Sequence, residues 1–127
     1  MLKLKLINEL GIYEILEEVE IQVNGISYVI PAGFISDLVT VPSVLDWYFN
    51  NKTRKYIIAA LLHDYAVEHG QVEVKDCGYK KFTRQEADSL FFDCLIELKI
   101  SFTMAFLMYL AVSAYSGLVL AGIKIKL

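Results

Sequence analysis

Residues 19–30 read Val-Glu-Ile-Gln-Val-Asn-Gly-Ile-Ser-Tyr-Val-Ile. Val19, Ile21 and Val23 alternate with Glu18, Glu20 and Gln22, which is the two-residue period of a strand with one buried face. Asn24-Gly25 interrupts the alternation, and Ile26, Tyr28 and Ile30 resume it. Both turn residues tolerate positive φ, so the segment predicts two antiparallel strands joined by a type I′ turn. Pro31 closes the unit. Upstream, Leu2, Leu4 and Leu6 alternate with Lys3 and Lys5 and predict another strand. The first 35 residues therefore read as strand-rich.

Downstream the pattern breaks. Residues 36–52, with Pro42 and a mixture of apolar side chains, read as an irregular connection that lies over a core or lines a site. Asp37 stands there between apolar neighbours. From residue 53 to 123 the chain reads as helical. Lys52-Thr53-Arg54-Lys55 leads into YIIAALLHDYAVEH, with Gly70 placed as the residue that stops the helix. Residues 71–82 are polar and connective, with a short strand at Val72–Val74. Thr83-Arg84-Gln85-Glu86 is a capping box, and the helix it opens carries Leu90, Phe91, Cys94, Leu95 and Leu98 as an apolar stripe. The expected fold is a single α+β domain over 1–127, a small N-terminal antiparallel sheet followed by a three- to four-helix region.

Composition bounds the function. The chain has 127 residues, 56% hydrophobic, which suits one domain with its own core and excludes disorder. A net charge of −3 lacks the basic excess of a nucleic-acid binder. The mean hydropathy of +0.46 is high, and much of it lies in an uncharged run from Ile100 to Ile123. About 20 apolar residues suffice to cross a bilayer, with Lys99, Lys124 and Lys126 as flanking anchors. The soluble alternative is one or two core helices broken near Ser116-Gly117, with Leu118–Leu127 left to meet a partner or membrane. The N-terminus has no secretory pattern, and Cys77 and Cys94 lack metal-type spacing. A cytoplasmic or inner-membrane position follows.

His63-Asp64 is the candidate centre of chemistry. His63 lies within a strongly apolar helix, with Ala59, Ala60 and Val67 as its neighbours three and four residues away. A neutral imidazole pointing inward needs a partner for its ring N–H. Asp88 shares a face with Phe91 and Leu95 on the following helix and needs a partner equally. Two antiparallel helices would join them into a His–Asp dyad, a standard general base, with Asp64 and Asp37 as metal or site carboxylates. The plainer reading is a buried pair that fixes helix register. The His-Asp phosphohydrolase pattern is excluded, because His69 lies downstream rather than upstream; no Gly-rich phosphate loop is present. Trp47-Tyr48-Phe49 reads as core or interface.

Several segments together resemble the domain-of-unknown-function 1353 family. Pro31-Ala32-Gly33-Phe34-Ile35-Ser36-Asp37, followed by Val41-Pro42, resembles its P-x-G-F-x-T-D signature. Ala59-Ala60-Leu61-Leu62-His63-Asp64, Arg84-Gln85-Glu86-Ala87-Asp88-Ser89-Leu90-Phe91 and Met108-Tyr109-Leu110-Ala111-Val112 resemble its later motifs, in the same order. Ser113 stands where the tail motif carries Arg. The resemblance implies a phage or prophage origin, hence host cytoplasm or virion as location and phage structural proteins as partners. More distantly, His-Asp on one helix and Ala-Asp-x-x-Phe on the next resemble phospholipases of the A-two type. That resemblance implies His63 as base, Asp88 as its orienting group, Asp64 as a calcium ligand, and lipid or cell envelope as substrate. Val67 replaces the usual Tyr, and Gly33–Asp37 is the segment left to stand in for a calcium loop.

Three functions follow as expectations. The first is a hydrolase-like phage protein using the dyad. The second is a non-enzymatic accessory or structural protein with the dyad as a buried polar network. The third is a small protein associated with the inner membrane through its C-terminal run.

Overall fold

The computed structural model describes residues 4–6, 13–36 and 55–120. Its fold is α+β, with two antiparallel sheets and three helices among the described residues. The first sheet has the order β1 (Leu4–Leu6), β2 (Tyr13–Ile15), β5 (Ile35–Ser36). The second is built on the expected hairpin of β3 (Val19–Val23) and β4 (Ile26–Ile30), with Val19 opposite Ile30 and Val23 opposite Ile26. Asn24 and Gly25 take φ of 52° and 80°, as the two-residue turn requires. Ile21, Val23, Tyr28 and Ile30 face the core.

Helix α1 (Lys55–His69) ends where Gly70 turns left-handed at φ 69°. The following segment forms a second hairpin, β6 (Gln71–Val74) and β7 (Gly78–Lys81), which extends the sheet to the order β3-β4-β6-β7. The strand at Val72–Val74 matches expectation. Its partner β7 escapes a hydropathy reading because all four of its residues are exposed. This edge strand has no buried face and so no alternation.

Helix α2 (Arg84–Glu97) opens with the expected capping box: the Thr83 hydroxyl accepts from the Glu86 N–H at 3.1 Å, and the Glu86 carboxylate accepts from the Thr83 N–H at 2.9 Å. The Thr83 amide bonded to it holds the exposed Glu86 carboxyl below its ordinary pKa. The helix ends in a Schellman motif: Ile100 N–H donates to Leu95 and Lys99 N–H to Ile96, with Lys99 left-handed at φ 68°. Helix α3 (Phe102–Leu120) runs unbroken through Ser116-Gly117, where a break was an alternative. Among the described residues, no helix is long and apolar enough to cross a membrane.

Helix α2 is central: α1 packs on one side, α3 on another, and β3 against it. α1 also packs on β6. Ala59, Ala60, Leu61 and Leu62 of α1 are fully buried, as are Phe91, Cys94 and Leu95 of α2 and Met108 of α3. The small pair Ala59-Ala60 lets neighbouring backbones approach, while Phe91 fills the space between layers. Truncating such a phenylalanine to Ala costs about 3–5 kcal/mol. Asp37, the aromatic trio Trp47-Tyr48-Phe49, the Val41-Pro42 motif and residues 121–127 lie outside the described residues.

Candidate functional site

Three elements deliver polar side chains to one region of this core. On the strand side, Gly33 N–H donates to Ile15 C=O at 2.8 Å, and Ile15 N–H donates to Phe34 C=O at 2.9 Å. Gly33 adopts φ 91°, a conformation open to glycine and strained for other residues. These bonds pin the segment after Pro31 against β2, and strand alternation then turns Ile35 outward and Ser36 inward. Ser36 is buried, and its hydroxyl donates to Asp64 Oδ2 at 2.5 Å.

Asp64 and His63 are adjacent on α1, so their side chains leave the helix about 100° apart. Asp64 points toward β5. His63 points toward α2, where its Nε2 meets Asp88 Oδ1 at 2.6 Å. An ionised carboxylate can only accept, so the proton of this bond resides on Nε2. The other nitrogen, Nδ1, lies 3.8 Å from Asp64 Oδ1. The Phe91 ring sits 5.5 Å from the imidazole and walls one side. The result is a polar line, Ser36–Asp64–His63–Asp88, crossing from the first sheet through α1 to α2.

His63 and Asp88 are 3% and 1% exposed, whereas the Asp64 side chain keeps 18% of its surface. Burial works against the charged imidazole and alone would lower its pKa, but the bonds and charges of Asp64 and Asp88 outweigh it. His63 therefore titrates above its ordinary 6.5. Asp88 Oδ2 is buried and has no hydrogen-bond partner among the described residues. An orphaned buried acceptor costs about 1–3 kcal/mol.

The sequence expectations divide clearly. His63, Asp64 and Asp88 converge, with the His63–Asp88 contact as the helix faces predicted. Asp37 falls outside the described residues. Ser36 was not among the sequence candidates; the signal for it was its place before Asp37 in the motif segment, where the resembled pattern carries another hydroxyl residue, Thr. No three His, Cys, Asp or Glu side chains among the described residues converge as metal ligands, and Asp64 Oδ2 is engaged by Ser36. The two cysteines stand apart from the site: Cys77 is exposed, and burial pushes the Cys94 thiol up to about 12. A cleft of about 380 Å³ between the β3–β4 hairpin and α2 is lined by Val23, Tyr28, Phe82 and Asp93 among others, and by none of the four site residues.

Residues 13–112 match the family described as "Protein of unknown function (DUF1353)". The match runs from β2 into α3 and includes Ser36, His63, Asp64 and Asp88. No curated protein and no solved structure matches the chain.

Proposed function

The chain belongs to the DUF1353 family, and from that premise we propose that it is a hydrolase-like member in which His63 is the general base. The observation that carries this reading is the 2.6 Å contact between His63 Nε2 and Asp88 Oδ1, made with Nδ1 turned toward the partly exposed Asp64. Asp88 holds the proton on Nε2 and fixes the ring. Nδ1 then takes a proton from water as the water oxygen attacks an acyl carbon. The imidazolium so formed lies between two carboxylates, and its proton passes to the departing alkoxide. Ser36 fixes the Asp64 carboxylate, which positions that negative charge beside the ring.

The resemblance to phospholipases of the A-two type supplies the substrate class, an ester of lipid or cell envelope. The family resemblance supplies the setting, a phage or prophage in its bacterial host, with Asp37 as a further site carboxylate. The test is hydrolysis of a short-chain diacyl phospholipid by the full chain and by His63→Ala and His63→Gln. Loss of a general base should reduce the rate by about 10²–10⁴. Wild-type activity should also rise with pH through the raised pKa of His63. Hydrolysis by His63→Ala at the wild-type rate would overturn the assignment.

The near-complete burial of His63 and Asp88 favours one second reading, a register-fixing network between α1 and α2 in a non-enzymatic accessory or structural protein. On that reading the wild type hydrolyses no ester, and His63→Ala lowers only the melting temperature.

A further inference from the structure

The four-stranded sheet has two edges, and the sequence charges them oppositely. Among the described residues it stops at β3 on one side and at β7 on the other. The phase of its hydrogen bonds decides which backbone groups each edge leaves outward. Ser27 C=O accepts from Lys75 N–H at 2.9 Å, so Ser27 faces β6, and its neighbours Ile26 and Tyr28 turn to Val23 and Ile21 of β3. The N–H and C=O groups of Glu20 and Gln22 therefore point away from the sheet. On the other side Phe82 N–H donates to Gly70 C=O at 2.9 Å, and two residues on along the same ladder Lys80 lies opposite Val72. The outward groups of β7 are thus those of Tyr79 and Lys81. Neither outward set has a backbone partner among the described residues.

Direction and face match as well. Every neighbouring pair in this sheet is antiparallel, so β3 and β7 run in opposite directions. A second copy set beside the first in the same orientation brings its β3 antiparallel against β7. Glu20, Val29, Glu73 and Tyr79 lie opposite one another in turn, which puts the side chains of both edges on one face of the sheet. Ile21, Val23, Tyr28 and Val72 occupy the other face, in the core, so the helices of both copies stay on that side. Two registers join outward groups to outward groups and keep all of β7 within residues 18–23. In one Lys81 stands opposite Glu20, in the other opposite Glu18. All three are exposed, and the partner of Lys81 inside its own sheet is the uncharged Gln71. The exposed face already holds one pair of this kind, Lys75 with Glu20 at 3.3 Å.

Like edges repel. A centred β7–β7 ladder sets Lys80 against Lys80, and a β3–β3 ladder gathers Glu18 and Glu20 of both copies. Residues 13–36 hold four glutamates and no Lys or Arg, whereas residues 77–84 hold Lys80, Lys81 and Arg84 and no acidic residue. Lysine on an exposed edge commonly guards it against stray pairing; here it excludes its own kind and admits the acidic edge. We propose that β7 of one molecule takes β3 of a second copy as its next strand, so that molecules join head to tail through a continuous antiparallel sheet. Such a contact is heterologous: each added copy leaves a fresh edge, and assembly continues past the dimer. The proposal does not require His63 chemistry.

The test is sedimentation velocity of the full chain over a series of protein concentrations. The weight-average mass should climb past that of a dimer as concentration rises. Lys81→Glu should weaken this association on the order of ten-fold, and Glu18→Lys with Glu20→Lys should do the same. All three side chains are exposed, so the melting temperatures should stay near that of the wild type. An equimolar mixture of the two variants restores opposite charges at every β7–β3 junction and should regain the wild-type association, which also shows that both variants are folded. A chain that stays monomeric at every concentration would overturn the proposal. So would association that stops at a dimer, association that neither charge reversal weakens, or a mixture of the variants that fails to regain it.

Discussion

Asp88→Asn changes one atom of the buried dyad and leaves its shape intact. In the native protein the Asp88 carboxylate accepts from His63 Nε2 at 2.6 Å, with both side chains nearly inaccessible. A hydrogen bond to a charged partner contributes about 1.5–3 kcal/mol and a neutral one about 0.5–1.5. The Asn carbonyl can keep the neutral bond, and its NH2 would take the place of Oδ2, which has no partner among the described residues, exchanging one unsatisfied group for another. The net loss is therefore about 1–2 kcal/mol. For a domain of this length that lowers the melting temperature by roughly 4–8 °C. The pH dependence is the sharper readout. His63 titrates above 6.5 because two carboxylates outweigh its burial. Between 6.5 and that higher value the folded state holds a proton that the unfolded chain has released. This contribution to stability is complete below pH 6.5 and is lost as pH rises through the folded pKa. With Asp88 neutralised, burial opposes the remaining Asp64 alone, so the His63 pKa falls and the window narrows or closes. Urea denaturation across this pH range, with the His63 ring resonance followed by NMR, measures both effects. An unchanged His63 midpoint and an unchanged slope of stability with pH would refute the coupling.

Three further outcomes follow from local structure. Thr83→Ala removes the hydroxyl of the capping box and should cost about 1 kcal/mol in chemical denaturation; no measurable loss would mean that Glu86 alone caps the helix. Lys99→Gly relieves a left-handed residue in the Schellman turn and should stabilise the domain by about 0.5–1 kcal/mol, read as a higher urea midpoint. A thiol reagent at neutral pH should label Cys77 and spare Cys94, which is buried and pushed up to about 12; rapid labelling of both in the native state, read by mass spectrometry, would contradict the packing of α2.

Local signals in the sequence were easily read because their physical causes are local. The β3–β4 hairpin follows from alternation plus two residues that accept positive φ. The α2 cap follows from a hydroxyl and a carboxylate three residues apart. Neither depends on the rest of the molecule. β5 and β7 were not legible for the opposite reason. β5 has two residues, too few for a period, and exists because turn bonds to Ile15 set it beside β2. β7 has no buried face and exists because β6 offers it a register. Lys99 shows the same limit in miniature: nothing about a lysine announces a left-handed turn, which the surrounding backbone bonds impose.

The site combines both kinds of information. A carboxylate on the apolar stripe of α2 cannot remain unpaired without a cost of several kcal/mol, so the sequence position of Asp88 by itself implies a partner from the opposing helix. The link from Asp64 to Ser36 spans 28 residues and depends on the β2–β5 pairing, which the sequence did not reveal. The 100° between consecutive helical residues turns His63 and Asp64 to different neighbours and so threads a polar line through α1. Such a line is not needed for stability, because well-packed apolar groups in place of a buried ion pair are often as stable or more so. Its presence therefore requires either helix register or chemistry as a reason. Register needs only the His63–Asp88 bond. Chemistry also needs Nδ1 to reach water and the imidazolium formed there to be stabilised, and Asp64, partly exposed and held by Ser36, stands beside Nδ1 for that purpose. Ser36→Ala is thus the substitution that separates the two explanations: it should alter hydrolysis and the His63 midpoint if the line serves chemistry, and leave both unchanged if only register is at stake.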